Sequence, residues 1–259
     1  MNQNQALFEY LLRLGDSDMI LGQRLCEWVG NAPALEEEMA IGNVALDLIG
    51  QARSWLTLAA EVASAAELEA AGRSADDLAF TRDERAYRNL LIVEQANGNF
   101  ADTMARQYLF DVWHYHLLSA LSGSADERVA AIAAKGLKEV TYHLRRSSAW
   151  IKRLGDGTEE SHARMQDAID EIWTYSGEMF IADEVDNLLA VAGIGADLNR
   201  LRSLWQADVQ ALLAEATLNC PSMDEYMQRG SKQGLHTEQL GFLLAEMQFL
   251  PRAYPGASW

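Results

Sequence analysis

Proline is nearly missing from this 259-residue chain: there are four, at positions 33, 221, 251 and 255, and none between 34 and 220. Proline breaks helices and punctuates turns, so a stretch of this length without it suits long helices joined by short turns. Cysteine is scarcer still. Cys26 and Cys220 cannot make a disulfide framework, which predicts a reducing, cytoplasmic setting with both thiols acting as small buried hydrophobes. No apolar run reaches the ~18 residues that a membrane-crossing helix needs. The start, "MNQNQALFEYLLRLGD", lacks the basic region and small-residue cleavage site of a secretory leader, so none is expected. Basic residues are outnumbered, with 21 Lys and Arg against 38 Asp and Glu. The resulting charge of −17 excludes nucleic acid and anionic membrane as partners.

What is present is hydrophobic residues at helical spacing. They make up 49% of the chain, enough for a sizeable core. Over 6–29, Leu7, Tyr10, Leu11, Leu14, Ile20, Leu21, Leu25 and Trp28 recur mostly at three- and four-residue intervals. Gly15 and Gly22 weaken the helix locally. "GNAP" at 30–33 reads as a stop, and the next helix opens on acidic residues, which its dipole favours. The pattern predicts further helices over 79–95, 101–121 and 126–154. Another runs from a cap at Thr158 and Ser161 to Phe180, and three more lie near 183–192, 197–217 and 236–250. No strand-type alternation competes. The expected fold is therefore all-α: an up-down bundle of four long helices with additional C-terminal helices, forming a single domain over 1–259. One internal echo, "LGQRLCEW" (21–28) against "IGQARSWL" (49–56), fits either an old helix-pair duplication or similar packing needs.

Four-helix bundles can hold two iron ions when two helices each supply a Glu and the other two each supply Glu-x-x-His. "KEVTYHLRR" (138–146) brings Glu139 and His143 close, but at four-residue spacing, with Tyr142 where the histidine should stand. "DVWH" (111–114) does place Asp111 and His114 three apart. The first two long helices offer Asp16, Asp18, Glu38 and Asp47, and the residues three beyond Glu38 and Asp47 are Ile41 and Gly50, which cannot ligate iron. Six ligands with two correctly spaced histidines cannot be assembled, so neither metal nor catalytic residues are assigned. A helix wheel puts Leu137, Val140, Leu144 and Ile151 on the apolar stripe of 126–154, with His143 at its flank and Glu139 off it, in a simple helical contact or an interface. His236 beside Glu238 is weak as a catalytic pair, and Thr237 reads as the cap of the last helix. There is no phosphate-binding glycine loop, nucleophile elbow or paired-cysteine motif.

Against the acidic background, "TRDERAYRN" (81–89) spaces Arg82, Arg85 and Arg88 by three, which would form a slanting stripe on one helix with Tyr87 and Asn89 alongside. Such a stripe either clamps an anionic group or pairs with its neighbours Asp83 and Glu84. The aromatic-rich "YLFDVWHYHLL" (108–118) would suit an association face.

The blocks "LRLGDSDMILGQRLCEW", "ALDLIGQAR", "AFTRDE", "VEQANGNFADTMARQY", "KEVTYHLRR" and "GLHTEQLGFLLAEMQFLPRAYPGASW" resemble, in order and nearly end to end, the PaaC-type subunits of the bacterial phenylacetyl-CoA 1,2-epoxidases. The resemblance implies a ferritin-like all-α fold. It also implies a structural subunit without cofactor of its own, paired with a homologous catalytic subunit that carries the di-iron centre. Further small subunits and a reductase with FAD and an iron–sulfur cluster would complete an assembly that epoxidises the ring of phenylacetyl-CoA with O2 and NADPH in aerobic phenylacetate degradation. Within that reading, Arg85, Tyr87, Arg88 and Asn89 are the candidate contact to the CoA of a shared substrate or to the catalytic partner. A homodimer is possible when the chain is alone. Two other classes stand beside it: a di-iron oxidase or oxygenase in its own right, and a self-associating helical binding protein.

Overall fold

The computed structural model describes residues 1–257, so Ser258 and Trp259, the end of the closing block above, lie outside the described residues. Among these residues the chain is all-α, with no strand. Its helices are α1 (Gln3–Cys26), α2 (Leu35–Ala65), α3 (Ala75–Phe80), α4 (Leu91–Glu94), α5 (Phe100–Leu121), α6 (Glu127–Gly155), α7 (Glu159–Trp173), α8 (Glu184–Val191), α9 (Leu198–Glu215), α10 (Glu238–Met247) and α11 (Phe249–Ala253). None is long and apolar enough to cross a membrane. The long helices start where the sequence places them, and local chemistry explains why. Asn2 with Gln5, Asn99 with Asp102, and Thr158 with Ser161 form reciprocal capping boxes that satisfy the first backbone N–H groups. Glu36, Glu37 and Glu38 occupy the first turn of α2.

The chain divides into two compact units. One comprises Met1–Ala96 together with the segment from Gly230 onward, and the other Asn97–Arg229. In the first, α1 and α2 pack along their length, and glycine sets how closely. A Cβ on Gly15 would stand 2.8 Å from Leu56 Cγ, and one on Gly22 would stand 2.9 Å from Ile49 Cγ1 and 3.3 Å from the Ala45 carbonyl. Gly50, the echo of Gly22 in the second helix, meets nothing within 4 Å, so the two Gly-Gln pairs do not share a packing role.

In the second unit, α5 is buried on almost every side, including Tyr108, Phe110, Trp113, Leu117 and Leu118. A helix covered on nearly every side is a core element even with Asp111 and His114 on it, so most of 108–118 is interior and not the association face its composition suggested. Trp205 of α9 donates its indole N–H to the Leu109 carbonyl at 2.9 Å and lies 5.4 Å from the Trp173 ring.

Three further sequence expectations change. The segment 79–95 is not one helix: after α3 it forms a 3-10 turn at Glu84–Ala86, extends through Tyr87–Leu90 and re-enters a single turn, α4. The helix opened by Thr158 ends at Trp173, and a 3-10 turn, Gly177–Phe180, follows it. Cys26 and Cys220 are half-buried and not fully enclosed, because one ends α1 and the other lies in the loop after α9.

The glycine contacts predict opposite effects for two substitutions. Gly22→Val should destabilise the chain by about 1–3 kcal/mol through overpacking. Gly50→Ala, with space around its Cβ, should stabilise it by roughly 0.5–1 kcal/mol. Urea unfolding midpoints measure both.

Candidate functional site

The most concentrated polar chemistry of the first unit starts in the middle of α1, where Asp16, Ser17 and Asp18 are all buried. Asp16 receives both terminal nitrogens of the Arg82 guanidinium, one of them at 3.0 Å, and the Arg88 backbone N–H at 2.8 Å. Arg82 also donates to the carbonyls of Leu78 and Ala86 and lies 4.4 Å over the Tyr87 ring. Ser17 Oγ accepts the Leu90 N–H at 3.2 Å. These bonds explain the broken helix at 79–95: side chains of α1 accept the N–H groups of Arg88 and Leu90, which a helix would have paired internally. A buried charge tolerates removal from water only when its hydrogen bonds are met, and here Asp16 is met three times.

Arg82, Arg85 and Arg88 therefore do not form a stripe. Tyr87 and Asn89 are fully buried. Tyr87 donates its hydroxyl proton to the Ala79 carbonyl and accepts from Gln248 Nε2 at 2.7 Å, and burial raises its phenol pKa. Asn89 Nδ2 donates to Glu94 Oε2 at 2.9 Å. Arg88 is half-buried, 3.2 Å from Glu9 and donating to the carbonyls of Arg85 and Tyr87. Arg85 alone of the four is exposed. Arg88 reaches a cleft of about 620 Å³ between the start of α1 and the turn at 67–70, with Phe8, Leu12 and Leu78 among its walls.

Glu94 is the second node. Its carboxylate accepts from Asn89, from the Thr237 N–H at 2.6 Å and pairs with His236 Nδ1 at 2.9 Å, while His236 Nε2 donates to the Tyr87 carbonyl at 3.1 Å. Burial works against the imidazolium, yet the hydrogen bond and charge of Glu94 outweigh it and hold the His236 pKa above its ordinary value. The partner of His236 is thus Glu94 and not Glu238. Thr237 occupies the N-cap of α10, but Glu94 takes its N–H and its hydroxyl does not cap. Arg24 completes the set, donating to the Glu94 and Gln239 carbonyls.

The positions weighed for metal divide differently. In the second unit the inward stripe of α6 runs through Val140, His143, Ser147 and Ile151, so His143 is core and not flank, while Leu137 and Leu144 are only half-buried. Facing it on α5 is Asp111, whose carboxylate accepts from Gln107 Nε2 and from Ser147 Oγ, each at 2.7 Å. Burial pushes the Asp111 carboxyl up to about 7, more than the Ser147 and Gln107 hydrogen bonds and the Arg146 charge lower it. Burial, helped by His143, depresses the neighbouring His114 to about 3, so it is a neutral ring. Among the described residues no group of three or more His, Cys, Asp or Glu is arranged to hold a metal ion. The residues present do not make up a di-iron ligand set: the Asp111 carboxylate accepts from Ser147 and Gln107, and in the other unit Asp16 is committed to Arg82.

With this geometry in view, the chain belongs to a defined family: it matches the model of the phenylacetic acid catabolic protein family over residues 1–259. It is 52% identical over 259 residues to the C subunit of the 1,2-phenylacetyl-CoA epoxidase of Escherichia coli (strain K12), with 100% of both chains covered. The resemblance drawn from its sequence blocks is thereby borne out.

The two buried groups of the α5–α6 cluster predict a pH signature. Asp111, raised above its unfolded value near 3.8, stabilises the fold at low pH and loses that contribution as pH rises towards 7. His114, depressed, acts with the opposite sign as pH falls from 6.5 towards 3. Between about 4 and 6.5 the two offset each other. Asp111→Asn should therefore make stability rise with pH across that window, by up to ~1.4 kcal/mol per unit relative to the wild type. Chemical denaturation at a series of pH values reads this slope.

Proposed function

We propose that this chain is a non-catalytic, structural subunit of a multicomponent phenylacetyl-CoA epoxidase, pairing with and stabilising a homologous subunit that holds the di-iron centre. The full-length identity to a named component of such an epoxidase supports membership of the assembly. The observation that carries the structural role is the Asp111 cluster. Where an iron bundle needs paired carboxylates and Glu-x-x-His, α5 and α6 present Gln107, Asp111, His114, His143 and Ser147, and Asp111 is closed by hydrogen bonds to two neutral partners. Each of its oxygens accepts from a neutral donor, and among the described residues no group of three or more His, Cys, Asp or Glu is arranged around it to hold a cation. In this reading O2 and electrons are handled elsewhere in the assembly, by the di-iron partner and a flavin/iron–sulfur reductase fed by NADPH, in a cytoplasmic complex.

Loaded anaerobically with Fe(II) and desalted, the chain alone should retain well under about one iron per chain, whereas the two expected of a complete site would sink the reading. Co-expressed with its partner subunits it should elute in one complex with them, and its omission should lower the soluble yield of the iron-bearing subunit.

Arg85 and Arg88 carry the anion-facing role within this reading, with buried Tyr87 and Asn89 holding the segment in place. Arg85→Ala combined with Arg88→Ala should weaken acyl-CoA binding or subunit assembly several-fold, since each removes a charge-assisted contact. Calorimetric titration of the complex with phenylacetyl-CoA, and its mass in solution, measure the two. If both stay at wild-type values, the role is removed from these residues.

A further inference from the structure

The C-terminal segment is held in an unusual way. In α10 only Leu240, Leu243 and Leu244 are buried, and α11 buries nothing. Beside those three leucines, polar contacts secure the segment within the first unit: Glu94 with His236 and Thr237, Arg24 with Gln239, and two further contacts at its far end. There Gln248 Nε2, buried, donates to the Arg82 carbonyl at 3.0 Å and to the Tyr87 hydroxyl. Arg252 donates to the Arg82 carbonyl at 2.9 Å and to Asp83 at 3.0 Å.

While these groups face inward, the large apolar side chains face out. Phe242 is 65% exposed and Phe249 64%, and Leu250 and Tyr254 are exposed with them. Phe242, Ala245 and Phe249 follow one another at three- and four-residue intervals. Beside them lies a groove of about 540 Å³, floored by Gly241, Leu244 and Ala245 and rimmed by Asp83 and Glu84. Gly241 leaves the floor open: a Cβ there would stand 3.3 Å from Glu84 Oε2. Contiguous aromatic exposure around a groove fixed by buried hydrogen bonds is a preformed recognition surface, since the segment is ordered before anything binds.

Charge selects the occupant. Arg252 is already bonded to Asp83, and Glu84 adds a further carboxylate to the rim. A second copy of this chain, at −17, would bring like charge to that rim. We propose that the groove formed by α10, α11 and the 3-10 turn Glu84–Ala86 docks a helix of another subunit of the epoxidase assembly, one presenting an apolar ridge with a Lys or Arg beside it. This rests on the structural-subunit reading above and places an interface on it. The partner's ridge seats against Phe242 and Phe249, and its cation meets Glu84.

The test uses the full chain co-expressed with the other epoxidase subunits, as wild type, as Phe242→Ser with Phe249→Ser, and as Glu84→Lys. Complex mass and amide hydrogen exchange are the readouts. Both phenylalanines are exposed, so the variants should keep the circular dichroism and melting temperature of the wild type. The expected result is at least tenfold weaker association in the double variant, a smaller loss in Glu84→Lys, and slowed exchange over 238–254 when the wild type assembles. Assembly of wild type and variants alike, with no protection there, would overturn the groove and leave the structural-subunit reading standing. A wild type that joins no other subunit would overturn both. Protection that arises in the chain alone, with a dimeric mass that the double variant loses, would replace the heterologous partner with a second copy and overturn the proposal.

Discussion

The Asp16–Arg82 pair organises the first unit. A carboxylate and a guanidinium buried side by side must have nearly all their lone pairs and protons matched, because the cost of leaving water exceeds what the bare charge pair returns. The matching is complete enough to dictate the surrounding backbone. Arg82 draws in the carbonyls of Leu78 and Ala86, and Asp16 draws in the N–H of Arg88. That leaves the chain from 81 to 90 no route through a regular helix. Tyr87 then sits under the guanidinium, and its carbonyl and hydroxyl become the two anchor points for His236 and Gln248. Order passes from one ion pair on α1, through an irregular strap, to a segment more than a hundred residues later in sequence.

The second unit is built the other way. Its centre is aromatic and aliphatic, with the Trp205 ring in contact with both Trp173 and Phe180. Its one buried carboxyl on α5 is matched by neutral partners and not by a cation in hydrogen-bonding contact. Without a full counter-charge the proton is the cheapest neutraliser, which is why Asp111 titrates near neutrality while Asp126, in contact with Arg128 at the start of α6, is held below the ordinary carboxylate range. Burial, with His143 adding to it, keeps His114 unprotonated. A cluster of this composition can persist inside a helical pair as a hydrogen-bonded core element, and it offers a metal ion too few charged ligands.

These two solutions suit the association role proposed above. The apolar core of the second unit accounts for its own stability. In the first, buried polar groups hold α10 and α11 so that Phe242 and Phe249 face outward. Full-length similarity to one component of a multi-chain epoxidase is consistent with a surface of that kind being met by another chain.

Much of the architecture was readable from the chain alone because it depends on local interactions. Helical periodicity, the proline-free stretch and the capping pair Thr158–Ser161 act over a few residues, and the helices they define are present. Ligand spacing is likewise a property of single helices, which is why an expectation about iron ligands could be formed from the sequence at all. Three polar residues together at Asp16–Ser17–Asp18, midway along an apolar helix, were the available sign of a buried network, but not of its partners. Arg82 lies 66 residues from Asp16 and His236 lies 142 from Glu94, and no local pattern encodes a contact at that distance. For that reason the arginines at 82, 85 and 88 read as one stripe, although tertiary structure buries the first, half-buries the last and exposes only the middle one. It also turned 108–118 from a sticky surface into a core, and brought the segment 236–252 back to Glu94 and Arg82, because burial is decided by what packs against an element and not by its own composition.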